Sequence, residues 1–350
     1  MGATLADIAR ELGLSKMTVS RAINNDPLVK AKTRDRVLEV SRRLNYQPNH
    51  FARALATNRS YLIGVIVPDL MHSYFAEILH GIGAVARSAK YQIVIGNSEE
   101  YVARELSEVE ALRSRTDGLI IAPCAPASKA GLYADMIEDG TKIVLIDRTL
   151  DGLDCPMVLT DDVEVGMLAT EHLIRLGHRR IGHLRGTITS TSKKRLEGYR
   201  KALSANDINY NEALVRECGL METDGYRAMQ AWIEGGDLPT AIFAVNDPAA
   251  IGAMQALHEA DIVVGKDIAM VGGGNIHYGD MLRVPLTTVS WSRGEMGQAA
   301  VRLLIQLIEG NGHDITHQKM ILSPSLVVRS SCGAMTSSIV VASQLSPQKN

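Results

Sequence analysis

The sequence predicts an α/β protein in which an all-α module at the N-terminus precedes a core of two doubly wound parallel-sheet lobes. Three observations lead to this prediction. Apolar residues recur at helical spacing through the first 44 residues, strands rich in Val and Ile alternate with amphipathic helices from Tyr61 onward, and that alternation occurs twice. A chain of 350 residues has room for two or three such units.

The stretch from Thr4 to Asn24 predicts two short helices joined by a tight turn. The apolar residues of the first helix form a single stripe, Leu5, Ile8, Ala9 and Leu12. Gly13 allows a sharp turn, and the Ser15 hydroxyl can cap the second helix. The second helix turns Val19, Ala22 and Ile23 inward and leaves polar side chains outside. These features indicate a helix-turn-helix, although any small helical hairpin would share them on this stretch alone.

The next forty residues complete the first module and lead into a linker. A third helix is predicted from Thr33 to Leu44, and Pro48 follows it. Asn49 can cap a short helix at His50 to Ala56, followed by a polar linker at 57–60. The predicted units are therefore a helix-turn-helix domain at 1–47, a hinge helix and linker at 48–60, a core at 61–332, and a disordered tail at 333–350.

The core is predicted from two successive rounds of strand and helix. Strands such as YLIGVIVPD, YQIVIGN and DGLIIAP, each followed by an amphipathic helix, are typical of a parallel sheet covered on both faces. We expect the first lobe at about 61–160 and the second at about 161–290. The last helix and the last extended run, 294–330, are expected to return to the first lobe.

Charge and composition favour a cytoplasmic protein that binds a polyanion. Residues 1–60 hold eleven Lys and Arg against five Asp and Glu, whereas the whole chain has a net charge of −2. A basic module on an acidic body is typical of phosphate binding. The four cysteines are scattered without CxxC spacing, and neither a membrane span nor a secretory signal is visible.

Catalytic and metal-binding patterns are weak in this chain. Gly81 to Ala86 matches GxGxxA, but it lies inside a predicted helix rather than between a strand and a helix. The histidines His172, His178 and His183 share no helical face and are interpreted as structural. The expectation is therefore no metal, no cofactor and no enzymatic activity.

The motifs TVSRAIN, LNYQPNHFARAL, IGVIVPDL, DGLIIAP, HLIRLGHRRIG, FAVNDPAAIGAMQAL and PLTTV occur here in the order found in one family. The chain resembles the LacI/GalR family of bacterial transcription regulators over about residues 3–330. The resemblance implies a homodimer that binds a palindromic DNA operator and a small effector, with the core folded like a periplasmic binding protein.

Positions that match the family's DNA contacts lie in the first 56 residues. The resemblance places Lys16, Met17, Ser20 and Arg21 nearest the base edges of the major groove, where arginine can donate two hydrogen bonds to guanine. It assigns backbone phosphates to Thr4, Thr18, Asn24 and Thr33. It also implies a minor-groove hinge at Asn49, Ala52, Arg53 and Leu55, with Leu55 as a wedge that kinks the duplex. The alternative for Leu55 is an ordinary linker leucine.

Positions that match the family's effector contacts lie at predicted strand ends in the core. They are Asp69, Ser73, Tyr74, Phe75, Asp147, Arg148, Arg195, Asn246, Asp247, Asn275 and Trp291. Two alternatives stay open, since Arg195 can be a solvated arginine and Asp147 can cap a helix.

Two positions depart from the family pattern. The usual cleft aspartate is replaced by Gly274, with Asn275 beside it, and Trp291 occupies a place where glutamine is common. Loss of a carboxylate and gain of an indole suggest a cleft that stacks on a ring face. We expect Trp291 to contact the effector, with a core or dimer-interface tryptophan as the alternative.

The function expected from the sequence is a repressor that binds operator DNA as a homodimer, responds to a sugar or sugar derivative, and does not associate with membranes. Two other classes remain as alternatives. A solute-binding protein would have a signal peptide and no helix-turn-helix, and a doubly wound enzyme would have a catalytic constellation.

Overall fold

The computed structural model describes residues 3–47, 59–187, 189–310, 315 and 317–334. The chain divides into two compact units, 1–60 and 61–350, each of which has its own core. The predicted hinge helix, with Asn49, Ala52, Arg53 and Leu55, and the predicted tail beyond residue 334 lie outside the described residues. Within the described ranges, no helix is long and apolar enough to cross a bilayer.

The N-terminal unit is a three-helix module. Its helices are α1 Leu5–Leu12, α2 Lys16–Ile23 and α3 Ala31–Arg43. Gly13 ends α1 in the left-handed conformation, with φ +64°, and the Ser15 hydroxyl accepts a hydrogen bond from the Thr18 amide at the start of α2. Residues from all three helices meet in the buried core, Ile8, Val19, Val37 and Val40 among them. The predicted helix-turn-helix topology therefore has the third helix that its core requires.

The first lobe of the core is a six-stranded parallel sheet in the order β11-β5-β4-β3-β1-β2. Its strands are β1 Leu62–Val67, β2 Gln92–Asn97, β3 Gly118–Ile121, β4 Ile143–Ile146, β5 Met157–Thr160 and β11 Lys319–Leu322. Its helices are α4 Ser73–Ser88, α5 Val102–Arg113, α6 Ala130–Glu138 and α11 Arg293–Glu309.

The second lobe repeats this arrangement in the order β12-β10-β9-β8-β6-β7. Its strands are β6 Ile181–Arg185, β7 Val215–Glu217, β8 Ala241–Ala244, β9 Ala269–Gly273, β10 Thr287–Ser290 and β12 Ser325–Val327. Only the pairing of β10 with β12 is antiparallel among the described strands. Its helices are α7 Asp162–Arg175, α8 Ser190–Ala205, α9 Glu222–Glu234 and α10 Asp247–Glu259.

The predicted lobe boundary near the C-terminus is wrong. Helix α11 and strand β11 pack in the first lobe as expected, but β12 pairs with β10 of the second lobe. The short helical turn Ser330–Cys332 also packs there, since the Ser331 hydroxyl donates to the carbonyl oxygen of Met270 at 2.7 Å. The residues between 322 and 325 thus form one more crossing between the lobes. The extended run predicted at the end of the core did not reveal this crossing.

Paired glycines bring helices into close contact at three places in the core. A Cβ at Gly81 of α4 would lie 2.3 Å from the Gly294 carbonyl oxygen of α11, and one at Gly297 would lie 2.3 Å from that of Ile78. The same reciprocal arrangement joins α7 to α8 through Gly166 and Gly198, and α9 to α10 through Gly225 and Gly252. The GxGxxA pattern at Gly81 therefore serves helix packing rather than dinucleotide binding.

We expect Gly81→Ala to destabilise the core by about 1–3 kcal/mol, because its methyl group would press on backbone that cannot rotate away. Gly83→Ala is the matched control on the same helix, since a Cβ there meets no atom within 4 Å. The control should raise stability by up to about 1 kcal/mol through helix propensity. Chemical unfolding followed by circular dichroism compares the two, and equal effects would contradict the packing role of Gly81.

Candidate functional site

The described face of α2 presents a mixed polar and apolar surface. The side chains of Lys16, Met17 and Arg21 are exposed and Ser20 is half-buried, whereas Val19 and Ala22 are buried against α1 and α3. Met17 is 63% exposed, so its side chain is accessible to a partner. Arg21 lies 3.6 Å from the Asp26 carboxylate and stays half exposed.

Three of the four residues assigned to phosphates have hydrogen-bond partners within the module. The Thr4 hydroxyl donates to Asp7 at 2.7 Å, Thr18 pairs with Ser15 at 2.8 Å, and Asn24 donates to the Ser20 carbonyl oxygen at 3.0 Å. These contacts cap or extend helices and leave the residues at the surface. Thr33 is half-buried in the first turn of α3. Their contacts with phosphates stay a prediction.

A cavity of about 50 Å³, partly open to solvent, lies between the two lobes of the core. Its walls come from loops at the carboxyl ends of β1, β4, β8, β9 and β10, where doubly wound sheets bind ligands. The cavity brings together nine of the predicted effector residues, Ser73, Tyr74, Phe75, Asp147, Arg148, Arg195, Asn246, Asp247 and Trp291.

Three buried side chains form the first-lobe side of the cavity floor. The Tyr74 hydroxyl donates to Asp147 Oδ1 at 2.5 Å and accepts a hydrogen bond from Trp291 Nε1 at 3.1 Å. Burial raises the pKa of Tyr74 far above its ordinary value, and the adjacent Asp147 carboxylate adds to that rise. Asp147 therefore acts as an acceptor in the cavity wall, and its alternative assignment as a helix cap is wrong.

Trp291 joins this floor to the second lobe. Its ring lies edge-on to Tyr74 at 5.9 Å, and the Arg195 guanidinium lies 5.0 Å from its ring centre. Trp291 is 5% exposed and belongs to the apolar core as well as to the cavity wall, so the two interpretations of this residue are compatible.

Arg195 is held by the second lobe. Its Nε donates to Asp162 Oδ1 at 2.8 Å, and its Nη1 donates to the Val245 carbonyl oxygen at 2.7 Å. The residue is 6% exposed, so the solvated alternative is wrong. Burial raises the pKa of Asp162 to about 6 against the opposing attraction of Arg195. Helix α8 begins at Ser190, which places Arg195 well inside it.

Arg148 reaches away from the cavity floor to Glu100. It donates to both Glu100 oxygens, at 2.8 and 2.6 Å, and its guanidinium is 4% exposed. Its Nε has no hydrogen-bond partner and lies 3.8 Å from Asp147 Oδ2.

Asn246 and Asp247 begin α10 at the second-lobe wall. Asn246 Oδ1 accepts from the Ala249 amide at 2.9 Å as the helix cap. Asp247 accepts from the Thr288 hydroxyl at 2.6 Å and from the Ile276 amide at 2.7 Å, and burial raises its pKa. Asn246 thus caps α10 and Asp247 orders the loop after β9, and both line the cavity.

Gly274 has a backbone conformation, φ +125°, that residues with a side chain rarely adopt. In this conformation its carbonyl oxygen accepts a hydrogen bond from Arg293 Nη1, and Arg293 Nη2 lies 3.0 Å from Glu77 of α4. The departure from the family aspartate at Gly274 therefore coincides with a positive φ and with an arginine bound to its carbonyl oxygen.

Two predicted residues do not line the cavity. Asp69 Oδ1 accepts from the Met71 amide at 2.8 Å and forms a turn after β1. Asn275 donates to the Ser290 hydroxyl at 3.1 Å and accepts from Arg329 Nη2 at 2.8 Å, both outside the cavity wall. Their positions after strand ends were correct, but their side chains satisfy neighbouring loops.

Sequence reasoning missed several lining residues, chiefly His72, Thr191 and Arg293. His72 lies in the loop that follows β1, and Arg293 begins α11 three residues after the end of β10, so extending the strand-end criterion by a few residues would have found them. Thr191 lies in the first turn of α8.

The histidines of the second lobe are placed as follows. His183 stacks between Phe243, at 4.7 Å, and Tyr199, at 5.2 Å, and burial lowers its pKa to about 4. His178 pairs with the Thr240 hydroxyl at 3.0 Å. In the part of the chain that the structure describes, no cluster of three or more potential metal ligands occurs.

Two family models match separate parts of the chain. Residues 4–49 match the model of bacterial regulatory proteins of the lacI family, and residues 170–332 match a periplasmic binding protein-like domain. Among curated proteins, the transcriptional repressor PurR of Pasteurella multocida is 34% identical over 333 residues, covering 94% of this chain and 98% of that protein. PurR of Mannheimia succiniciproducens is 32% identical over 337 residues, with the same coverage.

Solved structures extend the similarity to the fold. The lac repressor dimer bound to operator and the anti-inducer ONPF has a TM-score of 0.85 at 30% identity, covering 95% of this chain and 99% of that one. The complex of the regulator CelR with cellobiose has a TM-score of 0.70 at 27% identity, covering 94% and 99%. A regulator from Enterococcus faecium with bound ribose has a TM-score of 0.68 at 26% identity, covering 78% and 99%.

The helix-turn-helix, the two-lobed core and the identity to PurR along nearly its whole length agree with one another. This chain belongs to the lacI family of bacterial regulatory proteins and is a DNA-binding transcriptional repressor.

Proposed function

We propose that the protein binds a palindromic operator as a homodimer and that a small effector between the core lobes controls this binding. The observation that carries the proposal is the cavity, which joins buried aromatic and charged side chains of both lobes in a protein with a DNA-binding module. An effector that prefers one lobe arrangement shifts the population of that arrangement and so changes operator affinity. Neither catalysis nor a cofactor has a part in this mechanism.

Operator choice is proposed to depend on the exposed face of α2. Lys16, Met17, Ser20 and Arg21 would face the base edges, and Thr4, Thr18, Asn24 and Thr33 would set the register on the phosphates. The minor-groove contacts of Asn49, Ala52, Arg53 and Leu55 remain part of this proposal on the basis of sequence resemblance.

The effector is proposed to be a sugar or a sugar derivative. Asp147 and Asp247 offer carboxylate oxygens in the cavity wall, and Tyr74, Phe75 and Trp291 offer ring surfaces. Polar groups that fix orientation beside aromatic faces are typical of small-ligand sites. Two structural relatives hold cellobiose and ribose, which supports the same class of ligand here.

Dimerisation is proposed to use apolar surface on both lobes. A groove on the second lobe lies between α10 and the loops at 261–264 and 282–284, with Ile251, Met254 and Val263 among its lining residues. The first lobe exposes Met71, 83% accessible, and the edge strand β2 exposes Ile95. An uncovered edge strand and an apolar groove favour association with another protein surface.

Arg21→Ala should weaken operator binding by about 1–3 kcal/mol while changing binding to random duplex much less, because a base contact is lost. The matched control is Arg36→Ala, which replaces an exposed arginine of α3 and should weaken binding to the operator and to random duplex equally. Mobility shifts at several salt concentrations, with an operator obtained by selection of genomic fragments, measure both. Equal losses for Arg21→Ala would reject its role in reading bases.

Met254→Arg should shift the protein from dimer to monomer at micromolar concentration, because the introduced charge would have to be desolvated in the groove. Operator affinity should fall with it, since two modules are needed on a palindrome. Leu132→Arg, at an exposed leucine of α6, is the control and should leave the dimer intact. Sedimentation velocity gives the oligomeric state, and an unchanged dimer would exclude the groove as an interface.

Trp291→Phe should lower effector affinity about 3–10-fold, because the larger aromatic face is lost and the Tyr74 hydroxyl loses the indole N–H that holds it. The chain has two tryptophans, so Trp232→Phe leaves Trp291 as the sole emitter in the cavity wall. A panel of ligands that begins with ribose and cellobiose is titrated into both variants, and release of the operator is measured for each. In the Trp232→Phe control, the fluorescence of Trp291 reports ligand binding directly. A ligand that releases the operator with equal affinity for both variants would place Trp291 outside the binding site.

A further inference from the structure

His72 lies where the two lobes meet at the cavity, and both of its ring nitrogens face hydrogen-bond donors. Nδ1 lies 3.3 Å from the Tyr74 backbone nitrogen at the start of α4, and Nε2 lies 3.3 Å from Asn246 Nδ2 of the second lobe. A neutral imidazole carries one N–H and one lone pair, so it can accept from only one of these groups.

The orientation of Asn246 is fixed by two other hydrogen bonds. Its Oδ1 accepts from the Ala249 amide at 2.9 Å, and its Nδ2 donates to the Leu220 carbonyl oxygen at 2.9 Å. Rotating the amide to offer oxygen to His72 would break both bonds. Asn246 therefore presents an N–H to His72.

The position of the imidazole proton follows from the two donors. The Tyr74 amide is one of the free N–H groups in the first turn of α4, and His72 Nδ1 is its acceptor as the helix cap. The proton of neutral His72 then lies on Nε2, directed at the Asn246 amide. Burial lowers the pKa of His72, which favours this neutral form over an imidazolium that would face both donors.

His72 Nε2 and Asn246 Nδ2, from opposite lobes, thus lie 3.3 Å apart at the cavity wall as two facing donors. An acceptor oxygen placed beside the pair, about 2.9 Å from each nitrogen, can accept from both when the two N–H groups turn toward it. Arg148, which also lines the cavity, has an Nε without a hydrogen-bond partner on the first-lobe side.

We propose that His72 Nε2–H and the Asn246 side-chain amide form a two-lobe clamp for a carbonyl or carboxylate oxygen of the effector. This inference rests on the proposed effector control and names a requirement on the effector's chemistry. With the oxygen in place, each lobe donates to the same atom and the closed arrangement is stabilised. Without it, the donor–donor contact disfavours closure.

The first test locates the proton. Long-range ¹H–¹⁵N spectra of the intact protein at neutral pH, with His72 assigned by difference from His72→Asn, should show an Nε2–H tautomer. An Nδ1–H tautomer would overturn the inference, because His72 would then offer Asn246 a lone pair instead of an N–H. An imidazolium would overturn it as well, because its Nδ1–H would face the Tyr74 amide and could not cap α4.

The second test uses minimal probes. Acetate and dimethylacetamide offer an acceptor oxygen and no donor, whereas methylammonium offers only donors. At least one of the two acceptors should shift the resonances of the His72 ring and of the Asn246 side-chain amide. Methylammonium should shift neither. No shift with either acceptor, or a shift with methylammonium alone, would overturn the proposal.

Two histidine variants test whether the response to acetate depends on the His72 ring. In His72→Asn the side-chain oxygen can still cap α4, but the ring N–H is gone, so the Asn246 response to acetate should be lost. His80→Asn, at an exposed histidine of the same helix, should keep the response. A response that survives in His72→Asn would refute the role of His72.

Failure of the clamp and failure of effector control give different results. If a ligand quenches Trp291 and releases the operator while acetate leaves His72 and Asn246 unchanged, the clamp alone is wrong. If acetate shifts both groups but no ligand in the panel changes operator binding, effector control is in question and the clamp stands as an acceptor site.

Discussion

The geometry of the core depends on one buried polar chain across the floor of the cavity. Asp147 accepts from Tyr74, Tyr74 accepts from Trp291, and the Trp291 ring packs beside Arg195, which is paired with Asp162 of the second lobe. Each link is buried, so a missing partner would leave a polar group without water to replace it. Loss of one partner of a buried ion pair costs about 3–5 kcal/mol. Substitution of these residues therefore affects the fold as well as the site, and milder changes such as Trp291→Phe are more informative.

The scaffold around this chain explains why the polar groups converge. Parallel strands end at the same edge of each sheet, so the loops after β1, β4, β8, β9 and β10 open into one space between the lobes. The close glycine contacts between paired helices, as at Gly81 and Gly297, leave their backbones little room to slide. Lobe motion is then expected to concentrate in the crossings near residues 161, 291 and 323 rather than within either lobe.

The functional surfaces of the two units are determined in different ways. In the N-terminal unit, the core residues and the exposed face of α2 follow directly from helical periodicity, and the family assignment supports DNA binding. In the core, whether a residue lines the cavity depends on its hydrogen-bond partners and not on its residue type alone. The contrast between Gly274, whose backbone allows Arg293 to bind its carbonyl oxygen, and Asn275, whose side chain serves a neighbouring loop, illustrates this.

The sequence by itself determined the fold class, the helix-turn-helix, the two rounds of strand and helix, and most residues at strand ends, because these depend on short-range periodicity and on motifs. It could not assign β12 to the second lobe, since an extended run carries no information about which sheet edge it joins. It also could not separate Asp69 and Asn275 from the cavity residues, or show that His72 meets Asn246. Those outcomes depend on which donors and acceptors meet across more than 150 residues of chain, as in the contact between His72 and Asn246, and only the tertiary structure decides that.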